Sequence, residues 1–144
     1  MYKETKEWAA LVPELTVSDL PVSLDFYESC GFNVRFRRSN PSFAYIELGA
    51  AQIMLQEPHA QDWITGSLKR PFGRGINLQI EVESAQTIAD NLHNRNIELF
   101  RDLADSWYDT TDGLAEGQRE FLVQDPDGYL LRFAQSLGAR QRNT

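Results

Sequence analysis

Residues 11 to 17 alternate as an extended segment, with Leu11, Pro13, Leu15 and Val17 on one face and Val12, Glu14 and Thr16 on the other. Pro13 has no amide hydrogen, which confines this strand to an edge or Pro13 to an unpaired position. Ser18-Asp19 then supplies a helix cap, with Pro21 in the first turn, where its missing donor matters little. Leu20, Leu24 and Tyr27 follow helical spacing, joined by Phe26 and Cys30, and Gly31 suits the stop. Three short strands are predicted next: Val34–Arg38, Phe43–Leu48 after the Asn40-Pro41 turn, and Gln52–Gln56 after Gly49.

Residues 57 to 74 interrupt the pattern with a long, turn-rich connection. The order then repeats. Ile76, Leu78, Ile80 and Val82 alternate as a strand, Ser84 caps a helix, and Ala85, Ile88, Ala89 and Leu92 form one buried stripe. Ile97 and Leu99 open a further strand, and the polar, aromatic stretch 102–117 reads as a loop that Gly113 and Gly117 allow to bend over a bound molecule. Glu120–Gln124 and Tyr129–Ala134 pair across the turn Asp125-Pro126-Asp127-Gly128, and the tail 140–144 is expected to fray. Val17 maps onto Val82 and Phe32 onto Ile97, each 65 positions on. The prediction is a single α+β domain over 1–144, made of two βαβββ modules at 10–56 and 75–136 around the 57–74 connection.

Charge and composition narrow the chemistry. Lys plus Arg number 14 against 21 Asp plus Glu, a formal charge of −7, which argues against a nucleic-acid partner. One cysteine and two histidines exclude a disulfide framework and a three-histidine metal centre. The charged start and the absence of any apolar run near 20 residues give neither a secretory signal nor a membrane span, so a cytoplasmic protein is expected. Cys30 lies on the packing side of its helix and reads as a buried thiol, while His59 and His93 read as surface residues. Arg35-Phe36-Arg37-Arg38 reads as an exposed charged strand face, and Gly73-Arg74-Gly75 lacks the context of a phosphate loop.

Val12-Pro13-Glu14-Leu15-Thr16-Val17-Ser18-Asp19-Leu20, with Ser23 to Tyr27 and Gly31-Phe32, resembles the opening of vicinal oxygen chelate proteins. That superfamily holds glyoxalase I, extradiol dioxygenases, fosfomycin resistance enzymes and bleomycin resistance proteins. Arg119 to Phe133 is similar to its closing hairpin, so the resemblance spans roughly 10 to 136 in order and spacing. It implies paired βαβββ modules, assembled as a homodimer whose curved mixed sheets enclose ligand clefts. Its enzymes bind a divalent metal through His or Glu on four strands, and counting from the motifs puts Val12, Met54, Asn77 and Arg132 at those positions. That set suits no catalytic metal: valine has no lone pair, and a guanidinium repels a cation. The resemblance is therefore to the bleomycin resistance branch, with no metal and no cofactor. It implies a protein that sequesters a cationic, antibiotic-like molecule without chemistry.

If those four positions face a cleft, alternation adds Glu14, Thr16, Gln52, Gln56, Gln79, Glu81, Leu130 and Ala134. Leu15, Ile53, Leu55, Leu78, Ile80, Leu131 and Phe133 then pack inward under the helices. Arg132 reads two ways, as an ion-pair partner of Glu14 or Glu81 or as a site for an anionic group. Trp63 after Asp62, and Trp107, Tyr108 and Asp109 after Asp105, set rings beside carboxylates, as a flat cation would require, or else anchor loops at a dimer seam. The candidate ligand residues are Glu14, Tyr45, Met54, Trp63, Asn77, Gln79, Trp107, Tyr108, Asp109 and Arg132. The rival expectation is a divergent lyase, isomerase or dioxygenase with metal ligands relocated to Glu14, Glu81 or His59.

Overall fold

The computed structural model describes residues 7–142. In the first half run β1 (Glu14–Thr16), α1 (Leu20–Ser29), β2 (Asn33–Arg38), β3 (Phe43–Leu48) and β4 (Ala51–Gln56). The second half runs β5 (Asn77–Glu81), α2 (Ala85–Asn94), β6 (Arg101–Asp109), β7 (Leu114–Gln124) and β8 (Leu130–Gln141). Each half folds into a four-stranded mixed sheet, in the orders β1-β4-β3-β2 and β5-β8-β7-β6. In both, the first strand pairs in parallel with the last and the other pairings are antiparallel. This is the expected α+β fold of two βαβββ modules.

The repeat extends to the helix starts. Asp19 accepts from Val22 N and Ser84 accepts from Thr87 N, so each helix has a side-chain N-cap. The first amide of each helix is taken by the side chain just past β4 or within β8. Leu20 N donates to Glu57 at 2.7 Å and Ala85 N to Gln135 at 3.0 Å. Leu15, Ile53 and Leu55 from the first sheet meet Ile80, Leu131 and Phe133 from the second in one core, with both helices between. The two apolar sheet faces thus look toward each other through the helices, and the polar faces look away from each other. Among the described residues no helix is long and apolar enough to cross a membrane.

Several elements differ from the sequence reading. β1 covers only Glu14–Thr16, because Pro13 cannot donate, although its carbonyl still accepts from Met54 N at 2.9 Å. Ile97 and Leu99 lie before β6, which begins at Arg101. The segment 102–117 is no loop. It forms most of a long β6–β7 hairpin closed at Asp112 and Gly113, both at positive φ. β8 runs to Gln141 beside it, so residues 140 and 141 are paired strand, with Leu114 opposite Gln141. Polar composition hid this arm because its faces are held by cross-strand pairs rather than by burial. Asp105 and Arg119 make a two-pronged pair, which lowers the Asp105 carboxyl and raises the Arg119 guanidinium chiefly through their hydrogen bond. Residues 143 and 144 of the expected frayed tail lie outside the described residues.

Candidate functional site

Cross-strand register places Glu14, Met54, Tyr45 and Phe36 in one row across the outer face of the first sheet. Phe36 stacks with Tyr45 and Phe43, at centroid distances of 5.4 and 5.8 Å. Residues 7–10 cross this face as a strap. The Gln52 side chain accepts from Ala9 N and donates to Glu7 O, both at 2.9 Å, and also accepts from the Tyr45 hydroxyl. Trp8 meets Tyr45 edge-on at 5.0 Å, and the Arg35 guanidinium lies 4.2 Å from the Trp8 ring centre. Arg35 also pairs with Glu47 at 2.6 Å. It is mostly buried there, which corrects the exposed-face reading for Arg35, while Phe36, Arg37 and Arg38 are exposed as expected. Tyr45 and Gln52 are buried under the strap, Met54 is half-buried, and Glu14 stays exposed.

On the second sheet the corresponding row is Gln79, Arg132, Leu122 and Arg101. Arg132 donates to the Gln79 side-chain oxygen, and its Nε lies 3.9 Å from Glu120 Oε1. The Tyr108 hydroxyl donates to the other Glu120 oxygen. Tyr108 and Arg132 thus meet at Glu120, with Gln79 joined through Arg132, and Glu120 is a buried carboxylate that the sequence pattern did not single out. Its signal was available, since alternation from Leu122 puts Glu120 on this face. Arg132 is an internal ion-pair partner, though of Glu120 rather than of Glu14 or Glu81. Asn77 is exposed one row away, level with Leu130.

The remaining candidates stand apart. Trp63 is 94% exposed in the connection between the modules. Trp107 and Asp109 point to the face of the β6–β7 arm opposite Tyr108, because neighbours on a strand alternate. The Trp107 ring lies over Gly117 and under the Arg140 guanidinium, 3.7 Å from its centre, while Asp109 approaches Arg142 at 3.7 Å. A β-carbon at 117 would come within 2.7 to 2.8 Å of three Trp107 ring carbons. Gly117→Ala, made in a Trp8→Phe and Trp63→Phe background, is therefore expected to push the indole from under Arg140 and red-shift its emission. The stability loss is about 1 kcal/mol. Unchanged emission and melting would show that the ring is not packed there. Trp8 had no sequence signal, because nothing local tells where a chain end will settle.

The four positions that the resemblance assigns to a metal are divided between the two outer faces. Met54 is in the first sheet, with Val12 just ahead of β1, and Asn77 and Arg132 are in the second, with the shared core between them. Valine, methionine and a paired guanidinium do not fit a divalent cation. Among the described residues no three His, Cys, Asp or Glu side chains gather as a metal site. His59 is half-buried rather than solvated, and its Nε2 lies 2.8 Å from Gln56 Nε2. Glu14, Glu81 and His59 form no common cluster. Cys30 is buried as expected, and burial pushes its thiol up to about 12.

Comparison with solved structures agrees on the architecture. A glyoxalase/bleomycin resistance protein/dioxygenase from Alicyclobacillus acidocaldarius superposes with a TM-score of 0.58 at 18% identity, covering 90% of this chain and 92% of that one. The chain has the glyoxalase/bleomycin resistance fold. TioX from Micromonospora sp. ML1 shares this architecture with a TM-score of 0.66 at 19% identity, over 90% of this chain and 100% of that one. A virulence protein from Salmonella typhimurium gives 0.61 at 20% identity, over 91% and 98%. No family model matches the sequence, and no curated protein matches it. The likeness is one of fold, so the chemistry has to be read from the side chains on the two outer faces.

Proposed function

We propose that the protein binds a small, positively charged molecule and holds it without chemical change, as the bleomycin resistance resemblance implies. The observation that carries this reading is the donor set. The metal positions of the fold hold Val12, Met54, Asn77 and Arg132, and Arg132 is tied to Gln79 and Glu120 instead of standing free for chemistry. What remains on the outer faces is a hydrogen-bonding surface beside aromatic rings, which suits a polar ligand with flat parts. The charge of −7 favours encounter with a cation. Glu14 and Glu81 are exposed carboxylates on the two faces. Asp105, Asp109 and Glu120 contribute less, since Arg119, Arg142 and Arg132 balance them.

Because the polar faces of one chain look away from each other, one chain cannot enclose a ligand between them. The reading therefore includes a homodimer, in which the first sheet of one chain faces the second sheet of its partner across a cleft. In this reading it works in the cytoplasm. Titration with metal-free and copper-loaded bleomycin, followed by tryptophan fluorescence, tests the drug assignment, and light scattering tests the dimer. Saturable quenching at about one drug per cleft, from a particle of twice the chain mass, is the expected result. A monomer showing no response at tens of micromolar would remove both parts of the reading.

A further inference from the structure

The two modules meet along two seams that the internal repeat makes equivalent, and the chain fills them differently. On one seam the link 125–129 between β7 and β8 docks against the β1–α1 junction. Tyr27 donates to Asp125 at 2.7 Å, Ser18 N to Asp127 at 3.0 Å, and Tyr129 to Thr16 O at 3.0 Å. On the other seam the β3–β4 link is only Gly49-Ala50, too short to reach the β5–α2 junction, and an open groove of about 810 Å³ remains. Its floor is apolar, built from buried Cys30 and Ile88 and half-buried Leu48 and Val82.

The charges of the two seams are opposed. The filled seam receives an acidic link, met by donors from Ser18, Tyr27 and Arg70. Sixty-five positions on from Ser18, where the repeat would place a partner for a second acidic link, stands Glu83. Glu81 and Glu83 both line the groove, and among the described residues no basic side chain does. Both carboxylates are exposed. An anionic occupant would be repelled there, while a cation can keep its hydration at the rim and bury only its apolar part.

We propose that this groove binds a small amphiphilic amine, with its alkyl portion on Leu48, Val82 and Ile88 and its ammonium group between Glu81 and Glu83. The site lies on the seam between the modules and shares only Glu81 with the sheet-face cleft.

n-Hexylammonium, hexanoate and 1-hexanol, added to the full chain at low salt, test the assignment by saturation-transfer NMR and melting temperature. Hexylammonium is expected to bind about tenfold tighter than hexanoate, from roughly 1.8-fold per rim carboxylate acting in opposite directions on the two ions. Glu81→Gln with Glu83→Gln should erase that preference while hexanol binds as before. Thr87→Trp, an exposed change at the groove lip, should fill the space and abolish binding of all three without altering the bleomycin titration. Equal binding of hexylammonium and hexanoate, no binding of hexylammonium to the wild type, or undiminished binding by Thr87→Trp would each overturn the proposal.

Discussion

Asp125→Ala lowers the stability of the fold by about 3 kcal/mol or more, because it leaves several buried donors without an acceptor. Asp125 is 4% exposed. One of its oxygens accepts from the amides of Asp127, Gly128 and Tyr129 at 2.9 to 3.0 Å, and the other from the Tyr27 hydroxyl. Alanine removes both side-chain oxygens at once, leaving only the Asp125 carbonyl to accept from Gly128 N. Since this carboxylate joins the closing turn of the second module to the helix of the first, the expected loss is of docking between modules. Urea unfolding of the variant measures it, and a loss under about 1 kcal/mol would show that the node is replaceable.

Asp125→Asn separates shape from charge at the same place. The Asp125 carboxyl is held above its ordinary value chiefly by burial, against hydrogen bonds from Tyr27, Tyr129 and Asp127 that favour the anion. The folded chain therefore holds this proton more tightly than the unfolded chain does. The stability it contributes is fully present below the ordinary carboxylate value of about 4, and is lost as pH rises through the raised folded value. Asparagine does not titrate, so the wild type should lose ground to Asp125→Asn as pH rises over that interval. Parallel unfolding curves at several pH values above 4 check the sign, and a difference between the two proteins that stays flat would contradict it.

The second large effect is expected from Gly128→Ala, a loss of roughly 3 kcal/mol from a left-handed backbone combined with a clash that side chains cannot relieve. Gly128 has φ +103, and a β-carbon there would stand 2.6 Å from Pro71 Cα and 3.0 Å from Phe72 N. Both are backbone atoms of the connection between the modules, which is pinned by Phe72 N donating to Asp127 O at 2.9 Å and by Arg70 on Asp127. The connection would have to lift away, taking the Arg70 contacts with it. Gly113→Ala is the control, since a β-carbon there meets nothing within 4 Å although its φ is also positive. Equal melting of the two variants would mean that only backbone strain matters and that the connection does not bear on the turn.

Local patterns carried much of the fold. The alternation of Leu78, Ile80, Leu131 and Phe133 and the helical spacing of Ile88 and Leu92 were visible because burial imposes a period on the chain. The β6–β7 arm escaped notice because Asp105, Tyr108 and Glu116 lie on strands whose ends pack on little, so alternation of polarity could not mark them. The site was less legible. Tyr108 and Arg132 converge only through Glu120, which arrives from a third strand. Trp107 was placed beside Tyr108 by sequence adjacency and is turned to the other face by the strand that contains both.

By itself the sequence determined the order of elements, the repeat with its 65-residue offset and the residues that stand where the fold would carry a metal. The first two follow from short-range periodicity, and the last is what the family resemblance implies. Tertiary structure alone decided that the two polar faces look apart, that residues 7–10 cover Tyr45 and Gln52, and that one seam is filled while its equivalent stays open. These depend on which surfaces meet after the elements have formed, and such contacts between residues far apart in the chain leave no period in its sequence.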